Sequence, residues 1–148
     1  MKSLRQKDAQ LVYSCFLFEN IPQERVDRLL EEGPQLCSYK KGDIIFDREH
    51  YTPSLGIVLS GAVLVLSPSG SRSLIMRELG PGDIFGVAGL FVEETDYVTT
   101  LTAKSPCRVL FISQDLLRRA MAADFTLVEN YIRFLSGRLR FLNRKISG

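Results

Sequence analysis

Apolar residues in the N-terminal part of the chain recur at helical spacing rather than alternating. Within residues 4–18 these positions are Leu4, Leu11, Val12, Cys15, Phe16 and Phe18. A second apolar set, Val26, Leu29 and Leu30, follows Pro22, a residue favoured at the first position of a helix, and precedes the break at 33–34. The pattern predicts one helical segment within residues 4–18 and a helix that begins at Pro22.

From Gln35 to Ser113 the pattern changes to short segments rich in Val, Ile, Leu, Thr and Phe. Turn signals such as 41–43 and 80–83 separate these segments. Regular spacing of this kind is typical of a sandwich or barrel of strands. The predicted strands are 35–40, 44–47, 55–60, 62–67, 73–79, 84–85, 97–103 and 107–112.

One short pattern occurs twice in this β region. Gly42-Asp43-Ile44-Ile45-Phe46 recurs as Gly82-Asp83-Ile84-Phe85, forty positions later. We expect each copy to form a turn that leads into an inward-facing apolar strand. The repetition favours a closed roll of two sheets with jelly-roll pseudo-symmetry.

The C-terminal part is helical, with Ser113 as the expected N-cap of a helix that contains Leu116, Leu117 and Met121. The last segment then carries apolar residues at alternating spacings of three and four. This heptad seam consists of Phe125, Val128, Ile132, Leu135, Leu139, Leu142 and Ile146. Mostly branched residues at a and mostly leucine at d favour a parallel two-stranded coil, so these residues are predicted to form a homodimer interface.

The same helix carries a second apolar stripe about a third of a turn away from the seam. Its members are Leu127, Tyr131, Phe134 and Phe141, whereas Asn130 belongs to the remaining, polar face. Two separate stripes need two partners, so we expect the second stripe to lie on the chain's own barrel and the seam on another copy. The alternative is a monomer in which one wide stripe faces the core.

The segment 79–104 has a further feature, a run of small residues between two predicted strands. Gly86-Val87-Ala88-Gly89-Leu90 is too short for a full helix and too rich in small residues for a strand. It is typical of a single helical turn that lines a cavity, because glycines allow a ligand to approach the main chain closely. This order of elements predicts a pocket built into an all-β scaffold.

Composition narrows the function classes. The 148 residues are enough for about one domain, and a net charge of +2 is too small to indicate a nucleic-acid surface. No apolar run is long enough to cross a membrane and no signal core follows the first residues, so a cytoplasmic location is expected. Three cysteines without C-x-x-C spacing indicate neither a disulfide framework nor a zinc site.

The sequence also lacks the residue combinations that are typical of catalytic sites. The single histidine, His50, lies in a charged loop where we expect it to be solvated. One histidine cannot supply a triad, and a metal-dependent site needs about three clustered ligands. We therefore expect no catalytic residues, no metal and no cofactor.

Two short N-terminal helices, a glycine-punctuated β-roll and a long heptad helix occur together here, with GPGDIFGVAGLF at 80–91 and AKSPCRV at 103–109. From about Leu11 to Ile146 the chain resembles the effector domain of the Crp/Fnr superfamily of bacterial transcription regulators, a member of the cyclic-nucleotide-binding fold. The resemblance implies a mainly β fold with flanking helices. Helices over 1–33, a double-stranded β-helix or jelly roll over 34–113 and helices over 114–148, ending in a dimerisation helix, would then make one sensor domain.

The resemblance also implies a site. In members that bind cyclic AMP, a glutamate directly after the first glycine of this segment holds the ribose hydroxyl, and an arginine further along pairs with the cyclic phosphate. Gly86 matches that glycine, whereas Val87 and Tyr97 occupy the glutamate and arginine positions. The pocket positions implied are Gly86, Val87, Ala88, Gly89, Leu90, Tyr97, Val98 and Thr99, with Leu142 and Asn143 from the long helix.

These replacements imply that the chain does not bind cyclic AMP in the usual way, since a buried phosphate would lose its charge-assisted partner. The implied function is a ligand-sensing, dimerising regulator domain with an unknown, smaller and more apolar or aromatic effector. It would reach DNA only through a helix-turn-helix domain that is absent from this chain. Alternatives are a cupin-like β-roll enzyme, a stand-alone cyclic-nucleotide-binding-like domain, or a filled barrel that binds no ligand.

Overall fold

A computed structural model describes residues 4–31, 33–67, 75–92 and 99–147. Its contacts divide the chain into two compact units, a roll unit of residues 32–117 and a helical unit of residues 1–31 with 118–148. Helices α1 to α4 span Gln6–Tyr13, Gln23–Leu29, Gln114–Ala123 and Phe125–Ser147, and 3₁₀ turns span Phe16–Phe18 and Val87–Gly89. None of the helices in the described part of the chain combines the length and apolar character that crossing a membrane requires.

The roll unit contains two four-stranded antiparallel sheets. Strands β1 to β8 span Gln35–Tyr39, Ile44–Phe46, Ser54–Ser60, Val63–Leu66, Ile75–Leu79, Ile84–Phe85, Thr100–Ala103 and Cys107–Ser113. One sheet has the order β1-β8-β3-β6 and the other β2-β7-β4-β5, so consecutive strands lie in different sheets except β4 and β5, which pair with each other. The predicted jelly-roll fold is confirmed, although residues 73–74 and 97–98 of the predicted strands lie outside the described residues.

The inward side chains of the two sheets form the core of the roll. This core cluster consists of Ile45, Phe46, Val58, Val63, Leu79, Phe85, Leu101, Ala103, Cys107 and Val109. Alternation along the strands places these residues on one face and their neighbours on the other, as in β8, where Cys107 and Val109 are buried and Arg108 is half-buried. Cys15, Cys37 and Cys107 are free cysteines in this structure.

The repeated Gly-Asp pattern forms the same turn twice. In both copies the aspartate carboxylate, Asp43 or Asp83, accepts the backbone N–H of the residue three positions earlier at 2.8 Å. Each turn leads into a short strand whose aromatic residue, Phe46 or Phe85, is buried. Because the side-chain bond and the inward aromatic recur together, the repeated pattern reflects two equivalent corners of the roll.

The single helical segment predicted within residues 4–18 is interrupted in the structure. α1 ends at Tyr13, and Cys15 adopts an extended backbone conformation before the 3₁₀ turn Phe16–Phe18 begins. α2 also differs slightly from the prediction, because Pro22 is its N-cap rather than its first residue. Ser113 does cap α3 as predicted, since its hydroxyl accepts the N–H of Leu116 at 3.1 Å.

The second apolar stripe of α4 has a partner that the sequence did not reveal. The ring of Phe134 stacks on that of Phe16 with 4.8 Å between centroids, and Leu127 is fully buried. The stripe was expected to lie on the barrel, but the contact between Phe134 and Phe16 lies within the helical unit. Phe141, at the far end of the stripe, remains 51% exposed.

Asn130 was assigned to the polar face of α4, and this assignment is wrong. Its side chain is 1% exposed, and its amide nitrogen donates to the carbonyls of Leu17 and Glu19 at 2.9 and 2.8 Å. Leu17 lies within the three-residue 3₁₀ turn and Glu19 directly follows it, where helical partners run out. The amide therefore joins α4 to the N-terminal segment.

Asn130→Ala should lower the melting temperature by about 3–10 °C, because two carbonyls lose their donor at an estimated cost of about 1–3 kcal/mol. Scanning calorimetry of the variant beside Ser136→Ala, an exposed change on the same helix, measures the difference. Equal melting temperatures for the two variants would mean that the amide contributes nothing to stability.

α4 begins at a buried aspartate that links it to α2. Asp124 accepts the backbone N–H of Thr126 at 2.9 Å, which caps the helix, and its other oxygen pairs with Arg25 at 3.2 Å. A carboxylate at a helix N-terminus is favourable both as a cap and because of the helix dipole. The start of the heptad helix is thus held by the helical unit itself.

Candidate functional site

The predicted helical turn is present at the end of β6. Gly86 adopts a left-handed conformation with φ of 87°, and a 3₁₀ turn follows over Val87–Gly89. Within it the N–H of Gly89 donates to the carbonyl of Gly86, and the N–H of Leu90 donates to that of Val87 at 3.2 Å. Leu90 is buried and Ala88 is exposed, so the turn has one inner and one outer side.

The end of the connection between β2 and β3 and the first residue of β3 pack against the two glycines of this turn. A β-carbon at position 86 would lie 2.5 Å from the backbone carbonyl oxygen of Ser54. A β-carbon at position 89 would overlap the phenolic oxygen of Tyr51 and lie 2.8 Å from its Cζ. The sequence predicted that these glycines admit a ligand, whereas in this structure they admit the chain's own segment 51–54.

An aspartate-centred turn shapes that connection. Asp47 Oδ1 accepts the backbone N–H groups of Glu49 and His50 at 3.0 and 2.7 Å, and it lies 2.9 Å from Nδ1 of His50. His50 is exposed, as expected for a loop residue. The turn reverses the chain after β2, and Tyr51 comes directly after it.

Tyr51 joins an aromatic group inside the roll. Its ring packs edge-on against Phe46 with 5.3 Å between centroids, and Phe46 contacts Phe85 and Phe111 at 5.5 and 5.6 Å. The pairs of Phe46 with Tyr51 and Phe85 are edge-to-face, a favourable geometry for aromatic rings, and the pair with Phe111 is tilted by 39°. The inner side of the glycine turn is therefore lined by aromatic rings.

The hydroxyl of Tyr51 has no hydrogen-bond partner among the described residues, although its oxygen is buried. Burial raises the pKa of this phenol above its usual value. Buried polar atoms in folded proteins are nearly always paired, so an unpaired phenol beside a glycine is exceptional. We call Gly86–Leu90 together with Tyr51 the glycine-turn site.

Residues 36–124, more than half of the chain, match the family model described as the cyclic nucleotide-binding domain. The chain belongs to this family. A relative, the cAMP-activated global transcriptional regulator CRP of Pasteurella multocida (strain Pm70), is 34% identical over 88 residues. That match covers 60% of this chain and 42% of the relative, so it spans less than half the length of that regulator.

Solved structures show the same fold. The catabolite activator protein of Thermus thermophilus superimposes with a TM-score of 0.79 at 24% identity, covering 89% of this chain and 62% of that one. The sensor domain of the transcriptional regulator DNR from Pseudomonas aeruginosa gives 0.73 at 24% identity, covering 88% and 92%. The resemblance to Crp/Fnr effector domains indicated by the sequence is confirmed.

The structure brings five of the predicted site residues of this cyclic nucleotide-binding domain together. Gly86, Val87, Ala88, Gly89 and Leu90 form the turn itself. Thr99 directly precedes β7, whereas Tyr97 and Val98 lie outside the described residues. Leu142 and Asn143 lie on α4, in the helical unit, and both are exposed.

Sequence reasoning missed Tyr51 and Ser54. Tyr51 lies in the connection after β2 and Ser54 is the first residue of β3, and the sequence here reads as charged residues followed by a proline turn, a pattern that indicates solvent exposure. The available signal was an aromatic residue, Tyr51, in an otherwise charged loop between two strands. Among the described residues, no group of three or more His, Cys, Asp or Glu side chains could hold a metal ion.

Proposed function

We propose that this cyclic nucleotide-binding domain is the ligand-sensing and dimerisation domain of a Crp/Fnr-type transcription regulator. One observation carries the proposal: α4 presents an apolar seam to solvent, whereas Leu127 and Phe134 of its other stripe are packed within the helical unit. The 42% of the Pasteurella multocida regulator that the match covers leaves room there for another domain, through which DNA would be bound.

The seam is exposed in the single chain. The exposed members range from 38% exposure for Leu135 to 85% for Ile146, and Val128 is half-buried. The exposed members are Phe125, Ile132, Leu135, Leu139, Leu142 and Ile146. A face of this size without a partner is unusual in a monomer, and its heptad spacing fits a second copy of α4.

The effector of this domain is proposed to differ from cyclic AMP. The resemblance implies a ribose-binding glutamate at position 87, where this chain has valine, and a phosphate-binding arginine at position 97, where it has tyrosine. Each hydrogen bond to a charged group is worth roughly 1.5–3 kcal/mol, so losing both favours a ligand without a phosphate. Aromatic rings beside the turn support a smaller, aromatic or apolar ligand.

Two measurements test the proposal. Sedimentation velocity at micromolar concentration should show a dimer, and a predominantly monomeric chain would contradict it. In a thermal-shift titration, 1 mM cyclic AMP should leave the melting temperature unchanged. A ligand present at 100 times its Kd would stabilise the fold by about 2.7 kcal/mol, so usual binding would be visible as a shift of several degrees.

A further inference from the structure

The surface of the glycine turn at Gly89 is covered by a side chain rather than by backbone. The phenol of Tyr51 lies where a β-carbon at 89 would be, whereas the carbonyl of Ser54 covers Gly86. A side chain can rotate away without moving a strand, but the carbonyl of Ser54 belongs to the first residue of β3. The two glycines therefore differ, since only the cover at Gly89 can be removed by a rotamer change.

The group that covers Gly89, the Tyr51 phenol, carries a hydroxyl that is buried without a hydrogen bond. Among the described residues nothing pairs with the Tyr51 hydroxyl, which would regain water if the side chain turned outward. The residues beside it in the loop, His50 and Thr52, are exposed, so an outward rotation leads to solvent. Ring packing against Phe46 favours the inward position, and the unpaired hydroxyl opposes it.

We propose that Tyr51 is the chain's own occupant of the effector position at Gly89, and that the effector is a small aromatic molecule with a polar substituent that displaces it. This inference rests on the proposed effector role of the glycine turn. The chemistry follows from the present occupant: a planar ring lies edge-on to Phe46 and an oxygen touches the glycine. A ligand of the same shape fills the same space, and Tyr51 moves to water.

The probe for this subsite is p-cresol, which is the tyrosine side chain without its backbone. Tyr51→Ala empties the position, so calorimetric titration should show p-cresol binding at least about tenfold more tightly to this variant than to the wild type, whose tethered phenol competes at a high effective concentration. Adding Gly89→Ala to Tyr51→Ala should weaken that binding again by at least about tenfold, because the new methyl group occupies the place of the phenolic oxygen.

Tyr39→Ala is the matched control, since Tyr39 is a half-buried tyrosine packed on the same core cluster. Binding of p-cresol to a cavity at position 39 should be unaffected by Gly89→Ala. Two results would overturn the proposal. One is a folded Tyr51→Ala variant that does not bind p-cresol, and the other is an equal p-cresol affinity in Tyr51→Ala and in the Tyr51→Ala, Gly89→Ala double variant.

A second measurement needs no cavity variant. Gly89→Ala alone must push the phenol out, so tetranitromethane should nitrate Tyr51 several times faster than in the wild type, as measured by peptide mass mapping. An unchanged rate in the folded variant would overturn the proposal. If the chain is a dimer and these tests fail, the aromatic-effector inference falls and the proposed function stands, whereas a monomeric wild type removes the proposed function itself.

Discussion

Leu135→Glu should convert the proposed dimer into a monomer. Leu135 occupies a d position at the middle of the seam, and in a parallel pair the two copies of this residue face each other. Each substitution loses about 2 kcal/mol of apolar burial and places a carboxylate in the interface. Because two copies contribute, the dissociation constant should rise by at least about a thousandfold, which sedimentation velocity can detect.

Gly137→Glu supplies the control for that experiment. It adds the same charge two residues away, at the f position opposite the seam, where nothing lies within 4 Å of an added β-carbon. This variant should remain dimeric and gain helix propensity. Dissociation of both variants would indicate a general charge effect, and dimers in both would place the interface elsewhere.

Gly86→Ala should destabilise the roll severely. The residue has a φ of 87°, which costs an alanine about 1–2 kcal/mol, and the added β-carbon would lie 2.5 Å from the backbone oxygen of Ser54. Since that oxygen belongs to β3, relief of the overlap requires strand movement. We expect a melting temperature at least about 10 °C below the wild type, or loss of soluble protein.

Gly42→Ala separates the two causes. Gly42 has nearly the same φ, 89°, but nothing lies within 4 Å of its added β-carbon. This control should therefore show the backbone cost alone, a loss of a few degrees by differential scanning calorimetry. Similar losses in both variants would mean that the segment at Ser54 yields easily, and that the turn is less rigidly held than its geometry indicates.

The roll was predictable because its signals are local. Glycine and aspartate at 42–43 and 82–83 specify turns through their own backbone and carboxylate, and β-branched runs between turns specify strands. The heptad spacing of α4 is likewise visible within one segment. These elements therefore appear in the structure within a few residues of their predicted bounds.

What the sequence did not reveal depends on distant partners. An asparagine at a polar helical position looks solvated until the carbonyls of residues 17 and 19 are brought to it. No pattern placed Tyr51 and Ser54 against the glycines at 86 and 89, whose role in ligand binding stays a prediction. Spacing shows which residues share a face, but it does not show what lies opposite.

The bond between Asn130 and the N-terminal segment also bears on where this protein can be shortened. Trimming the chain to the first strand would discard Phe16 and both carbonyls, leaving an amide and the ring of Phe134 stripped of their neighbours. A fragment shortened in this way would expose a further, partly apolar surface of α4 beside the seam. Residues 16–19 therefore cover part of one side of α4.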